Sequence, residues 1–300
     1  MLFTENEISA MIMLLDDNDK EVVQQVESHL VSFGEVAIPY LETRWNDDFS
    51  LVQQQKLEQI IHQIQFDALK RDLESWRLSE QQDLFEGIML LNRFQYPNLN
   101  IQEVKNKIEK IRLDAWLELH YELTALEKIR ILNHVFYDLH GFKGNTQVYH
   151  SPDNSFVNKV LDKKEGNPIS LAVLYSIVAQ KLGIPVFGIN LPQHFILAYL
   201  YDKELNGTDL MQKNILIKEN KLHKVMFYIN PFNKGLIFTR QNVEDFVNQL
   251  KLIHDDSFYL PCNNVEILKR VLRNLTAAYK SKNQEDKMAE LEVLMRVLGG

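Results

Sequence analysis

Three short stretches hold the side chains from which this chain could build a reactive centre. Gly166-Asn167-Pro168-Ile169-Ser170-Leu171 opens the most apolar helical segment. Pro192-Gln193-His194-Phe195 stands at the start of a strand-like run, and Tyr228-Ile229-Asn230-Pro231-Phe232 at the end of another. A helix N-terminus stabilises anions and lowers the pKa of a thiol placed there, a histidine takes up a proton, and a third polar side chain orients the imidazole. A nucleophile, a base and an orienting group held together are what acyl transfer needs. Only the base is in place here. Pro168 has no nucleophile, and Asn230 can accept from an imidazole N–H without stabilising an imidazolium by charge. Ser170 is the only side chain near the helix start that could replace the thiol, and a first-turn serine more often bonds the local backbone.

A purely structural reading of the helix start is complete in itself. Asn167 is a good N-cap and Pro168 a good first helical residue, because its missing N–H is one the helix could not bond. Ile169, Leu171, Ala172, Val173, Leu174, Tyr175, Ile177, Val178 and Ala179 leave no polar face, which places the helix in the middle of a domain. Leu182-Gly183-Ile184-Pro185 ends it. His194 reads either as a hydrogen-bonded structural or binding residue or as a base. The other histidines suggest no metal: His134 and His140 are six apart and do not share a helix face, and His29, His62, His120, His150, His223 and His254 are scattered. There is no glycine-rich phosphate loop and no cysteine pair, so neither a metal nor a cofactor is expected.

The elements around these stretches are mainly helical. Apolar residues recur at helical spacing from Glu7 to about Asn92. Ile8, Met11, Ile12 and Leu15 make one face, and Asp16-Asp17-Asn18-Asp19 supplies N-caps for a helix carrying Val22, Val23, Val26 and Leu30. Gly34 ends that helix, and Val36, Ile38, Leu41 and Trp45 begin the next. A second helical pair is expected through Leu51, Leu57 and Ile64, then Leu69, Leu73 and Trp76. Gln95-Tyr96-Pro97-Asn98-Leu99-Asn100 is a break. Helices follow at Ile101–Leu119, around Leu126 to Phe136, and from Phe156, with a loop over Tyr149–Ser155. After Pro185 the period becomes strand-like, at Val186–Asn190, Phe195–Tyr201, Ile215–Lys218 and Val225–Ile229, with a turn at Lys218–Lys221. Helical spacing returns at Asn242–Ile253, and Val265–Tyr279 with Asp286–Leu298 form a helical hairpin.

The chain has 300 residues, 45% of them hydrophobic, enough for a sizeable core and for two or three units. Its net charge of -8 argues against nucleic acid as a partner. Lys105, Lys107, Lys110 and Arg112 form a basic run at the spacing of a solvated helix face. Cys262, the one cysteine, excludes an intramolecular disulfide framework and reads as a partly buried thiol in a reducing compartment. Acidic residues near the N-terminus do not fit a signal peptide, and the apolar run Ile169–Ala179 is too short to span a bilayer. The expected location is cytoplasmic, away from membranes.

Leu182-Gly183-Ile184-Pro185 after an apolar helix, followed by a histidine-bearing strand, resembles the transglutaminase-like core, which is papain-like. Gly144-Asn145-Thr146, Asn154-Ser155-Phe156, the Gly166–Leu171 stretch, Leu191-Pro192-Gln193-His194-Phe195 and Asn230-Pro231-Phe232 together resemble its SirB1-type branch. The resemblance covers about Leu126 to Phe238 and implies an α+β fold, mainly helical, with a small antiparallel sheet. It puts the absent cysteine at about Pro168, the base at His194 and the orienting acid at Asn230. The Asp-rich turn and paired helices near the N-terminus resemble a HEAT-type unit, and the last hairpin a TPR-like pair. The expected division is residues 1–97 HEAT-like, 98–240 transglutaminase-like and 241–300 TPR-like. The expected function is non-catalytic: a peptide or protein partner held in the former active-site groove by Asn167, Gln193, His194 and Asn230. The alternative is a hydrolase or transferase on amide or ester bonds, using His194 with Ser170 or an activated water. In either case the helix start, His194 and Asn230 should converge, with the last two hydrogen-bonded.

Overall fold

The computed structural model describes residues 4–44, 50–201, 224–253 and 255–300. They fall into two compact units, Met1–Asp72 and Leu73–Gly300.

In the first unit, Thr4 and Glu7 close a capping box that starts α1 (Glu5–Met13), and Asp19 caps α2 (Lys20–Ser32) by accepting from Glu21 N–H. Gly34 follows at a φ of +68°, a backbone that side-chain-bearing residues rarely adopt, and α3 (Ile38–Arg44) begins after one 3₁₀ turn. The apolar faces read from the sequence meet in one core: Ile8, Ile12 and Leu15, Val26 and Leu30, Leu41, then Leu57, Ile60 and Ile64. The expected second helical pair is a single helix, α4 (Leu51–Leu78). Gln65-Phe66-Asp67-Ala68, between the two expected apolar faces, contains neither proline nor glycine, so nothing stops helix propagation there. Trp45 lies outside the described residues.

The second unit begins with α5 (Leu84–Arg93) and α6 (Ile101–Glu118), separated by the 95–100 turn as expected. Next, α7 (Ala125–Asn133) runs into one π-type turn, His134–Leu139. β1 (Lys143–Gly144) and β2 (Glu165–Gly166) form a short parallel pair around a 3₁₀ turn (Pro152–Ser155) and α8 (Val157–Lys163). Then comes α9 (Pro168–Lys181), in which every residue from Ile169 to Ala179 is buried, as its composition required.

Among the described residues four antiparallel strands follow in the order β3 (Val186–Ile189), β4 (Ile196–Tyr201), β5 (Lys224–Asn230) and β6 (Leu236–Phe238). A three-residue strand shows no period, which is why β6 was not legible. The expected strand Ile215–Lys218 and the turn after it lie outside the described residues, as do His223 and His254. The two faces of the sheet are covered differently. Ile196, Ala198, Leu200 and Tyr228 pack with Val243 and Val247 of α10 (Arg240–Gln249). No residue of α9 belongs to that cluster, so α9 meets β3 and β4 from the opposite face. The chain ends in the expected hairpin, α11 (Asn264–Lys280) and α12 (Glu285–Val297), closed by Leu268, Leu272, Leu275, Leu291 and Leu294.

Candidate functional site

The start of α9 is a closed polar network. Asn167 Oδ1 accepts from Ser170 N–H at 2.9 Å, and Asn167 N–H donates back to Ser170 Oγ at 3.1 Å, a reciprocal capping box. Asn167 Nδ2 donates to Ser155 Oγ at 2.8 Å. One step further out, Asn145 Nδ2 donates to Asn154 Oδ1 at 3.1 Å, while Asn154 Nδ2 donates to the carbonyls of Val148 and Tyr149 at 2.7 and 3.1 Å. Asn154, Ser155, Asn167 and Ser170 are all buried, so each polar atom must find a partner inside the protein, and the motifs supply them. A Cβ at Gly166 would lie 2.6 Å from Ser170 Oγ, which explains the glycine without any appeal to chemistry. Ser170 Oγ also donates to Asn167 O at 3.2 Å and makes no hydrogen bond to His194.

Both oxygens of Asn230 are committed to the local backbone. Its Oδ1 accepts from the N–H groups of Phe232 and Asn233 at 3.1 and 3.2 Å, capping a 3₁₀ turn, and its carbonyl accepts from Gly235 N–H at 3.0 Å. Tyr137 donates its hydroxyl to Pro231 O at 2.9 Å. Asn133 Nδ2 donates to Gly235 O at 2.9 Å, and the buried Tyr175 of α9 donates to Asn133 Oδ1 at 2.8 Å. Burial holds the Tyr175 and Tyr137 hydroxyls protonated, their pKa values raised well above the ordinary phenol range. The ring of Phe232 lies over Gly144, whose added Cβ would meet it at 2.5 Å. Gly144 pairs with Gly166, so the Asn230 turn and the start of α9 are brought together.

His194 is placed differently. It closes a turn through its N–H to Leu191 O at 3.1 Å, beside an exposed Gln193 held at a φ of +61°. Its ring packs edge-on against Phe246 of α10, with centroids 4.8 Å apart. Burial of that edge, then the charge of Arg270, holds the imidazole pKa below its ordinary value. The expected hydrogen bond between His194 and Asn230 is not made. Asn230 Oδ1 is taken by two backbone donors, and His194 turns toward α10, the side of the sheet away from α9. Cys262 is held against β3: its N–H and Sγ–H both bond Gly188 O, at 2.9 and 3.3 Å, and burial pushes the thiol up to about 12.

Arg270 of α11 is the residue that the sequence reading did not single out. Its Nη1 donates to Asn190 Oδ1 at 3.2 Å, and Tyr149, His194, Cys262 and Arg273 are its electrostatic neighbours. The available signal was a cation set between Ile267, Leu268, Val271 and Leu272 on a helix otherwise read as the interior of a hairpin. Among the described residues no three His, Cys, Asp or Glu side chains group as metal ligands, and no helix is long and apolar enough to cross a membrane.

Residues 102–273 match the family model of the transglutaminase-like superfamily. A UPF0162 protein of Xylella fastidiosa is 28% identical over 210 residues, 69% of this chain and 68% of that protein. Protein SirB1 of Salmonella typhimurium is 24% identical over 213 residues, 69% of each chain. F-box only protein 21 of Homo sapiens is 30% identical over 149 residues, half of this chain and 21% of that protein. No solved structure matches. With the matched span enclosing the α9 start, the His194 turn and the Asn230 turn, the chain belongs to the SirB1-type branch of the transglutaminase-like superfamily.

Proposed function

We propose that this chain is a non-catalytic transglutaminase-like protein that holds a peptide or protein segment in the groove of the former reactive centre. The helical hairpin of α11 and α12, in the same unit, would extend that surface in the manner of repeat proteins. The observation that carries the reading is the closed hydrogen bonding at the start of α9. Where a nucleophile would stand there is Pro168, and the neighbouring Ser170 hydroxyl is buried and shared between two backbone groups of Asn167. No base touches it. The turn before β4, by contrast, presents His194 and Gln193 to solvent, and such groups can bond an extended peptide backbone.

The test is turnover. The purified chain should neither transfer a fluorescent amine to a glutamine peptide nor hydrolyse a p-nitrophenyl ester, with or without iodoacetamide. A partner captured by the wild type should be lost on His194→Ala. Turnover removed by iodoacetamide, or by Ser170→Ala, would replace this reading with that of a hydrolase or transferase using His194 with Ser170 or an activated water.

A further inference from the structure

The rim at the end of β3, around Asn190, gathers hydrogen-bond donors with no carboxylate paired to them among the described residues. Arg270 is half-buried, and its one hydrogen bond uses Nη1, leaving Nε and Nη2 without a protein partner among the described residues. Asn190 Nδ2, the Tyr149 hydroxyl and the His194 ring nitrogens are likewise without hydrogen-bond partners among the described residues. These groups come from four places in the chain: α11, the end of β3, the loop before the 3₁₀ turn at Pro152–Ser155, and the turn before β4. Arg273, one turn along α11, adds a second positive charge, and no carboxylate among the described residues forms an ion pair with either arginine. A half-buried guanidinium beside a like charge is costly unless an anion completes it.

We infer that Arg270 and Asn190, with Tyr149 and His194 beside them, form the binding site for a carboxylate carried by a peptide. A guanidinium fork matches the two oxygens of a carboxylate. The apolar rings of Tyr149 and Phe232, with centroids 6.2 Å apart, lie next to the charge. Such a surface suits a carboxylate attached to a chain better than a bare inorganic ion. The inference rests on the groove reading and names what the groove selects.

The test follows the Arg270 Nε–H signal of the full chain by ¹⁵N–¹H NMR, assigned by its loss in Arg270→Gln. Four probes are titrated: N-acetyl-Ala-Glu-amide, N-acetyl-Ala-Ala with a free C-terminus, N-acetyl-Ala-Gln-amide, and inorganic phosphate. A saturable shift with either carboxylate is expected, at least about tenfold tighter than with the glutamine probe or phosphate, and weakened about tenfold or more, read on neighbouring amides, in Arg270→Gln. The Glu probe winning assigns an acidic side chain, and the free acid winning assigns a C-terminus. A silent Arg270 signal with both carboxylates, a response to phosphate alone, or unchanged affinity in Arg270→Gln overturns the inference. The wild-type arms stand whether or not the variant folds. Turnover in the activity assay would remove the non-catalytic reading alone, whereas a silent Arg270 with His194-dependent capture intact would remove only the carboxylate site.

Discussion

The start of α9 and the rim around His194 belong to the same set of family motifs, yet their polar atoms are used in opposite ways. Asn167, Ser170, Ser155 and Asn154 are buried, and their side chains bond one another and the neighbouring backbone. His194, Asn190 and Tyr149 are solvent-accessible, and the described residues leave several of their donors unused. Residues that saturate one another hold a backbone in place, because any change strands a partner in a medium without water. Residues with spare donors at a half-wet rim can give them to a ligand. The two regions lie on one framework: the first holds the backbone in place, and the second, on the proposed function, offers its donors to a partner.

Substitution should bring out that contrast most strongly at the α9 start. Asn167→Ala removes the helix cap and strands Ser170 N–H and Ser155 Oγ together, so a loss of about 2–3 kcal/mol is expected in urea unfolding. A loss under about 0.5 kcal/mol would mean that the network is not closed and would dissolve the comparison. His194→Ala should cost less than about 1 kcal/mol, since only the edge contact with Phe246 is lost, while partner binding disappears. A loss of about 1–3 kcal/mol with binding intact would move His194 to the structural side.

The smallest effect is in pH. Burial and Arg270 hold the folded His194 pKa below the ordinary value of about 6.5. Between that value and the lower folded one, the unfolded chain binds a proton that the folded chain does not. Stability should therefore fall as the pH drops below about 6.5, and the loss should be complete once the folded imidazole is also protonated. His140 shifts in the same direction, its burial outweighing the nearby Asp114, so His194→Gln should flatten only part of the slope. Unfolding midpoints at several pH values for both proteins measure this. An unchanged slope would mean that the imidazole is as free as in the unfolded chain.

Much of the fold could be read because local rules applied without competition. The Asp19 cap, the Gly34 break, the 95–100 turn and the all-round apolar α9 each follow from residue type and spacing within about one helix length. The continuous α4 was misread because a long amphipathic helix and two helices in line carry the same period, and only the absence of a breaker tells them apart. At the site, Asn167 and Ser170 were read correctly as a capped first turn. The orientation of His194 was not, because it depends on Phe246, which belongs to a helix some fifty residues further along the chain.

The sequence by itself determined the family and the capping that makes Asn167 structural, because each is written in adjacent residues. Tertiary structure alone decided that His194 faces α10 and that Arg270 of α11 reaches Asn190 at the end of β3. Those partners are tens of residues apart and meet only when the sheet, α9 and α11 have packed. A side chain's hydrogen-bond partner, unlike its type, is a property of what folding places beside it.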